Sequence, residues 1–168
     1  MNKKVKLGVI GLGGHGILDG TLLKMENVEI TGVCDLYQDR ADEGFRLVKQ
    51  ATGKSVLCST DYKDIIASND VEAVIVMTAW ESHIEIAITA MKAGKPIGME
   101  VGGAYSIEDC NNLIKAYEET GIHCMMLENC CYGRRELMVL NMARLGVFGE
   151  IVHCSGGYLH DLREEIAN

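Results

Sequence analysis

The feature that most constrains the fold is a regular alternation of short apolar runs with segments whose apolar residues have helical spacing. Residues 5–10, 28–34 and 73–78 are apolar runs, and the third is rich in β-branched residues. A continuous apolar run without polar alternation is typical of a parallel strand that is buried on both faces. Strands that alternate with helices in this way predict an α/β fold with a doubly wound parallel sheet.

The other predicted elements continue this alternation along the chain. Further strands are predicted at residues 55–58, 96–101, 123–129 and 150–158, and helices follow at 61–67, 84–94, 106–121 and 135–145. Helical spacing after the first two strands is carried by Ile17, Leu18, Leu22 and Met25, and then by Ala41, Phe45 and Val48. In the helix that begins after Ser106, the predicted apolar face consists of Ile107, Cys110, Leu113, Ile114 and Tyr117.

A glycine motif lies directly after the first predicted strand. Gly11, Gly13 and Gly16 form G-x-G-x-x-G at the mouth of a predicted helix. In such a motif the first glycine permits a tight turn, the second lets the backbone approach a pyrophosphate, and the third allows the helix to pack on the strand. The motif alone is also compatible with a glycine-rich turn that binds nothing.

An acidic residue after the second strand favours the dinucleotide interpretation. Asp35 lies 19 residues beyond Gly16, since 35 minus 16 is 19, and it closes the predicted strand. A carboxylate there can accept hydrogen bonds from an adenosine ribose, and it would repel a ribose 2′-phosphate. The combination predicts an NAD site in preference to an NADP site.

Polar residues follow the later strands at the same carboxyl edge, where open α/β sheets bind their ligands. Trp80 and His83 lie in a loop that could line the cleft, although packing of the Trp over a loop and a solvated His at the helix start are alternatives. Tyr158 and His160 are two residues apart on the last predicted strand, so both could face one substrate. Without more context, such a Tyr/His pair is more often structural.

Taken together, these residues resemble the nucleotide-binding part of the Gfo/Idh/MocA oxidoreductases. The resemblance is carried by VKLGVIGLGGHG, Asp35, the loop that ends in His83 and the AMKAGKP helix end. Most members have Glu-Lys-Pro after the fifth strand, whereas this chain has Glu100-Val101-Gly102 and lacks the Lys. With Glu-Val at this place, and with its sequence at 125–150 and 156–163, the chain resembles glycoside hydrolase family 109. This is the branch of NAD-dependent glycosidases typified by alpha-N-acetylgalactosaminidase.

The resemblance implies a fold, a reaction and a set of site residues. It implies an NAD-binding Rossmann domain over residues 1–128 and the beginning of a second, substrate-binding α/β domain over 129–168. The implied reaction oxidises sugar carbon 3, removes the carbon 2 proton that the ketone has made acidic, expels the aglycone from carbon 1, adds water and returns the hydride to carbon 3. Tyr158 is the implied base and His160 its assistant. The residues expected at the cofactor are Gly11, Gly13, Gly14, His15, Gly16, Asp35, Trp80, Glu81, Ser82, His83, Glu100, Val101 and Asn129.

Two alternatives remain: a sugar dehydrogenase with net hydride transfer, and a non-catalytic NAD-binding module. Too few residues follow the sixth strand for another sheet, so we expect the chain alone to bind NAD with little turnover. A substrate-binding domain that is missing would leave apolar surface uncovered, which predicts a homo-oligomer.

Charge, hydropathy and cysteine usage limit the partners and the location of the protein. The net charge is −8 and the basic residues are scattered, which argues against nucleic acid as a partner. No apolar stretch is long enough for a membrane span, and no signal-peptide core follows the N-terminus, so we expect a cytoplasmic protein without membrane partners. The seven cysteines include no CxxC pair and most lie in apolar runs, which predicts reduced core thiols and no metal site.

Overall fold

The computed structural model describes residues 3–13 and 17–157, together with residues 159, 161 and 163. The chain divides into two compact units, residues 1–128 and residues 129–168. No helix among the described residues combines the length and the apolar character that crossing a membrane requires.

The first unit is built on one parallel sheet of six described strands. In chain order the strands are β1 (Val5–Ile10), β2 (Val28–Cys34), β3 (Leu57–Ser59), β4 (Ala73–Val76), β5 (Ile97–Met99) and β6 (Cys124–Met126). Their order across the sheet is β3-β2-β1-β4-β5-β6, and every neighbouring pair is parallel. This is the strand order of dinucleotide-binding Rossmann domains. The predicted fold class is therefore confirmed, although β3 to β6 are shorter than the sequence suggests.

Helices cover both faces of the sheet, and each face has its own apolar core. The helices of this unit are α1 (Gln38–Thr52), α2 (Tyr62–Ala67), α3 (His83–Lys92) and α4 (Ile107–Thr120). One core joins β1 and β2 to α1, with Val9, Val33 and Val48 fully buried at its centre. The other joins β1, β4 and β5 to α2, α3 and α4, around residues such as Ile65 and Met91. The β1 residues Val9 and Ile10 belong to opposite cores, as the alternation of side chains along a strand requires.

The start and the end of α4 follow local rules that the sequence predicts. The Ser106 hydroxyl accepts a hydrogen bond from the Asp109 N–H at 3.0 Å, which satisfies one of the unpaired donors at the helix start. The Asp109 carboxylate accepts from the N–H of Tyr105, one residue before the position that a capping box predicts. At the other end Gly121 has φ +65°, the left-handed conformation typical of a helix C-terminus.

Two glycines in the central strands allow α2 to pack closely on the sheet. A Cβ at Gly8 would overlap Ile65 Cγ2, and a Cβ at Gly32 would lie 3.1 Å from Ile65 Cδ1. The fully buried Ile65 side chain thus occupies the space left by both missing side chains. This packing holds α2 against β1 and β2, the two strands whose carboxyl ends lead to Gly11 and Asp35.

The segment after the glycine motif differs from the predicted regular helix. Residues Ile17–Thr21 form one π-helical turn and Leu22–Lys24 a 3-10 turn. Leu18 and Leu22 are buried as predicted, but Met25 lies beyond the helical turns and is exposed. A glycine at position 20, inside the short segment, disfavours a regular α-helix there.

The predicted apolar face of α4 is also largely wrong. Ile107, Cys110, Ile114 and Tyr117 are exposed, while Leu113 and Ala116 pack against the core. Ala116 sits opposite α3, where a small side chain permits close contact between the two helices. The buried side of α4 is therefore the one that carries Leu113 and Ala116.

The second unit contains one described α-helix, α5 (Arg134–Arg144), preceded by a 3-10 turn at Cys130–Tyr132. The prediction of a strand at 150–158 is wrong over its described part, because residues 151–157 are exposed and pair with no described strand. A strand is stable only when its backbone groups find a neighbouring strand. The prediction of core thiols is wrong for Cys110, Cys130, Cys131 and Cys154, which are exposed, while Cys34 is buried.

We expect Gly8→Ala to lower the free energy of unfolding by about 1–3 kcal/mol, because the new methyl group overlaps Ile65 in a filled core. Urea denaturation of the whole chain measures the change. Gly20→Ala is the matched control, since a Cβ there meets nothing within 4 Å and should leave stability equal or higher. Equal stability of the two variants would contradict the close packing at Gly8.

Candidate functional site

The ends of β1, β2 and β4 meet at Gly11. Gly11 has φ +93°, and a Cβ there would lie 2.5 Å from the Met77 carbonyl carbon and 2.5 Å from the Thr78 nitrogen. The Gly11 N–H donates to the Cys34 carbonyl at 2.8 Å, and the Met77 N–H donates to the Ile10 carbonyl at 2.8 Å. Both the conformation and the close backbone contact exclude a side chain, so glycine is required at this point.

The Asp35 carboxylate fastens the turn after β1 to the turn after β2. One carboxylate oxygen accepts the Leu12 N–H at 2.7 Å and the other accepts the Tyr37 N–H at 3.0 Å. The residue is only 6% exposed. Charge-assisted bonds of this kind are stronger than neutral ones. Asp35 therefore holds the backbone of the glycine turn in place. Each of its oxygens keeps a lone pair that can accept a hydrogen bond from a ribose hydroxyl.

A cavity of about 490 Å³ opens at this edge of the sheet. Its volume lies within the usual range for small-molecule and cofactor sites. Of the predicted cofactor residues, the structure brings Gly11, Gly13, Asp35 and Ser82 together in its wall. The other lining residues include Cys34, Leu36, Tyr37, Arg40, Thr60, Tyr62, Thr78 and Ala79. Two side-chain-free positions, one carboxylate and several apolar side chains fit the adenosine and pyrophosphate parts of a dinucleotide.

Arg40 is a cavity residue that the sequence analysis missed. Its guanidinium lies 4.8 Å from the centre of the Tyr37 ring, and its Nη1 is 2.5 Å from where a Cβ of Gly13 would lie. The space predicted for a pyrophosphate beside Gly13 is thus bordered by a cation. Arg40 lies in the first turn of α1, five residues after Asp35, but its approach to Gly13 depends on tertiary packing that the sequence does not show.

Cys34 is the cavity residue whose acidity departs furthest from its usual value. Burial, and secondarily the negative charge of Asp35, raises the pKa of its thiol to about 12. The thiol therefore stays protonated at neutral pH and is a poor nucleophile. Burial, together with a hydrogen bond from its hydroxyl to Glu85, also raises the pKa of Tyr62.

Within the loop after β4, Thr78 makes hydrogen bonds to two later residues of the same segment. The Ser82 hydroxyl donates to the Thr78 hydroxyl oxygen at 2.7 Å, and His83 Nε2 lies 2.8 Å from the Thr78 carbonyl oxygen. His83 is fully buried, so the alternative of a solvated His at the helix start is wrong. Trp80 and Glu81 are exposed. Thr78 and Ser82 face the cavity, while Trp80, Glu81 and His83 are not among its lining residues.

The other predicted site residues lie in three different situations. Glu100 and Val101 follow β5 and are half-buried, and the Glu100 carboxylate accepts the Val101 N–H at 2.7 Å. Asn129 is exposed and is the first residue of the second unit. Gly14, His15, Gly16, Tyr158 and His160 lie outside the described residues, and their roles stay predictions.

Comparison with known families identifies the first unit. Residues 5–128 match the family model of the Gfo/Idh/MocA oxidoreductases, described as an oxidoreductase family with an NAD-binding Rossmann fold. The chain belongs to this family. Residues 132–168 match the C-terminal domain of glycosyl hydrolase family 109. The Rossmann fold and the NAD cofactor expected from the sequence are thereby confirmed.

Relatives of known name agree with both matches. A glycosyl hydrolase family 109 protein of Solibacter usitatus is 40% identical over 96% of this chain and 39% of the relative. An alpha-N-acetylgalactosaminidase of Bacteroides fragilis is 38% identical over 95% of the chain and 38% of the relative. The chain thus spans about two fifths of the length of these relatives.

Solved structures show the same fold at low sequence identity. Apo scyllo-inositol dehydrogenase from Lactobacillus casei has a TM-score of 0.78 and 18% identity, over 89% of this chain and 44% of the other. The WlbA dehydrogenase from Bordetella pertussis, solved with NADH and UDP-GlcNAcA, has a TM-score of 0.72 and 22% identity, over 88% and 44% of the two chains.

We expect Asp35→Asn to weaken NAD binding about tenfold, because an amide cannot accept both the Leu12 and the Tyr37 N–H, and one charge-assisted hydrogen bond is worth roughly 1.5 kcal/mol. Isothermal titration calorimetry measures the affinity. Asp42→Asn, an identical change on the exposed side of α1, is the control and should bind as tightly as the original protein. Equal affinities for the two variants would refute the role of Asp35.

We expect Cys34 to react with iodoacetamide at least about 100-fold more slowly than the exposed Cys154 near pH 8, because its thiol is buried and protonated. Peptide mass spectrometry after timed alkylation gives both rates in one sample. Comparable rates would show that the Cys34 end of the cavity is open to solvent.

Proposed function

We propose that this chain forms the cofactor-binding part of an NAD-dependent glycosidase of the family 109 type. The observation that carries the proposal is the pairing of a Rossmann cleft built around Gly11 and Asp35 with a following segment, residues 132–168, that matches the C-terminal domain of that family. The substrate class that follows is a glycoside of an N-acetylated sugar, by similarity to the relative from Bacteroides fragilis.

In the proposed reaction, bound NAD supplies a hydride acceptor that later returns the hydride to the same carbon. The chain's own residues bind and orient it. Gly11 and Gly13 let the backbone approach the pyrophosphate, and the Asp35 oxygens that hold the turn also accept from the ribose. Thr78 and Ser82 border the cleft on the β4 side. The half-buried Glu100 and Val101 belong to the nicotinamide side in this proposal.

Tyr158 is the proposed base for the carbon 2 proton, and His160 assists it. Removal of a proton at carbon 2 needs a group with access to the sugar rather than a pair of carboxylates, because oxidation at carbon 3 makes that proton acidic. A tyrosine with an ordinary pKa of about 10 is a weak base at neutral pH, and a neighbouring histidine can accept its proton. Both residues belong to the segment that matches the family 109 domain.

Sugar dehydrogenation is the second candidate, favoured by the fold shared with scyllo-inositol dehydrogenase. Assay of the full-length gene product with NAD and p-nitrophenyl α-N-acetylgalactosaminide in heavy water separates the candidates. The proposal predicts nitrophenol release, deuterium at sugar carbon 2 and no accumulated NADH. Accumulating NADH without nitrophenol would favour the dehydrogenase. Bound NAD with neither product from this or other glycosides would favour a non-catalytic module, and either result overturns the proposal.

We expect Tyr158→Phe to reduce deuterium exchange at carbon 2 by at least about 100-fold, the scale typical of losing a general base, while NAD affinity stays unchanged. Nuclear magnetic resonance of the recovered sugar measures the exchange. Tyr132→Phe, the same change at an exposed tyrosine of the second unit, is the control. Unchanged exchange in Tyr158→Phe would remove this residue from the role of base.

The proposal also includes assembly and location. Exposed apolar side chains on α4, namely Ile107, Ile114 and Tyr117, support a homo-oligomer, because contiguous apolar surface commonly marks contact sites.

A cytoplasmic location is supported by the thiols of Cys34, Cys58 and Cys124, which are not in disulfides.

A further inference from the structure

Two consecutive glycines follow the Glu100-Val101 pair after β5. Gly102 has φ +83° and Gly103 has φ +95°, a conformation that side-chain-bearing residues rarely adopt. Two such residues in succession turn the chain sharply. The turn brings the loop after β5 against the loop after β4.

Gly102 lies directly against the indole of Trp80. A Cβ at Gly102 would be 2.8 Å from Trp80 Cε2, 3.0 Å from Cδ2 and 3.1 Å from Nε1. These atoms are the two ring-fusion carbons and the adjacent nitrogen of the indole, so the Gly102 backbone lies against the ring. A methyl group at this position would force the ring, or the loop, to move.

Gly103 lies in the same way against His83. A Cβ at Gly103 would be 2.8 Å from both Cγ and Nδ1 of the imidazole. On the other side of the ring, Nε2 lies 2.8 Å from the Thr78 carbonyl oxygen, which can only accept, so Nε2 carries the proton. Nδ1 is buried and finds no hydrogen-bond partner among the described residues. The ring therefore acts as a rigid spacer between the Thr78 carbonyl and the Gly103 backbone.

We propose that Gly102 and Gly103 are positioning residues for the cofactor cleft. Each lacks a side chain so that the loop after β5 can clamp Trp80 and His83, and through them fix Thr78 and Ser82 in the cavity wall. This inference rests on the proposed use of the cleft for NAD. It assigns a steric function to Gly102, where the Glu-Lys-Pro pattern has Pro, and to Gly103, which follows it.

The link to the cavity runs through hydrogen bonds within the loop after β4. Ser82 is bonded to the Thr78 hydroxyl at 2.7 Å and to the Ala79 carbonyl at 2.9 Å. Trp80 and Ser82 are the first and last residues of a 3-10 turn, and His83 directly follows Ser82 as the first residue of α3. A displaced indole or imidazole therefore carries Thr78, Ala79 and Ser82 with it, and all three line the cavity.

The chain contains one tryptophan, so the fluorescence of Trp80 reports the proposed contact directly. The test compares Gly102→Ala with Gly94→Ala in the whole chain. Gly94 has φ +77°, but a Cβ there meets nothing within 4 Å, so this control has the backbone strain without the contact. We expect Gly102→Ala alone to shift the Trp80 emission maximum, change its quenching by acrylamide and raise the Kd for NAD about tenfold.

A double-variant cycle keeps the test decisive if Gly102→Ala lowers folding yield. In a Trp80→Ala background the indole is gone, and we expect Gly102→Ala to change the Kd for NAD by less than about twofold, because coupling vanishes when one partner is removed. Equal effects of Gly102→Ala in both backgrounds, or an emission spectrum identical to that of Gly94→Ala, would overturn the inference. Loss of NAD binding by the unmodified protein would instead overturn the proposed function, since the emission comparison needs no NAD.

Discussion

The cleft depends on one close approach of backbone to backbone, where Gly11 at the end of β1 meets the Met77–Thr78 peptide. In a parallel sheet the carboxyl ends of neighbouring strands share an edge, and the chain reverses direction there, so loops from several strands converge. At Gly11 the distances leave no room for a side chain. Gly11, Met77 and Thr78 all line the cavity at this edge of the sheet.

Hydrogen bonds of the Asp35 and Thr78 oxygens hold the loops that surround Gly11 in place. Asp35 uses both oxygens on backbone N–H groups of two turns, and Thr78 uses its carbonyl and hydroxyl oxygens on His83 and Ser82. Buried groups of this kind are expensive to leave unpaired, so each turn has few alternative shapes. Preorganisation of the loops lowers the entropic cost of binding an extended cofactor.

The sequence predicts the parallel sheet and its carboxyl-edge site well, because continuous apolar runs and glycine spacing depend on local chemistry. It predicts other features poorly, for reasons visible in particular residues. The buried side of α4 is set by Ala116 fitting against α3, which periodicity alone cannot show. The solvated-His alternative fails because His83 is buried between Thr78 and Gly103, and Arg40 is missed because its approach to Gly13 depends on tertiary packing. The proposed strand at 150–158 finds no described partner to pair with.

The cleft around Gly11 and Asp35 is the predicted binding site for NAD, on which the proposed function depends. Calorimetric titration of the purified chain with NAD, and with NADP beside it, tests that claim most directly, once any nucleotide carried through purification has been released and identified by mass. We expect one NAD site per chain and weaker binding of NADP, because a carboxylate that follows the second strand of such a fold repels a ribose 2′-phosphate. Failure to bind either nucleotide, or tighter binding of NADP than of NAD, would contradict it.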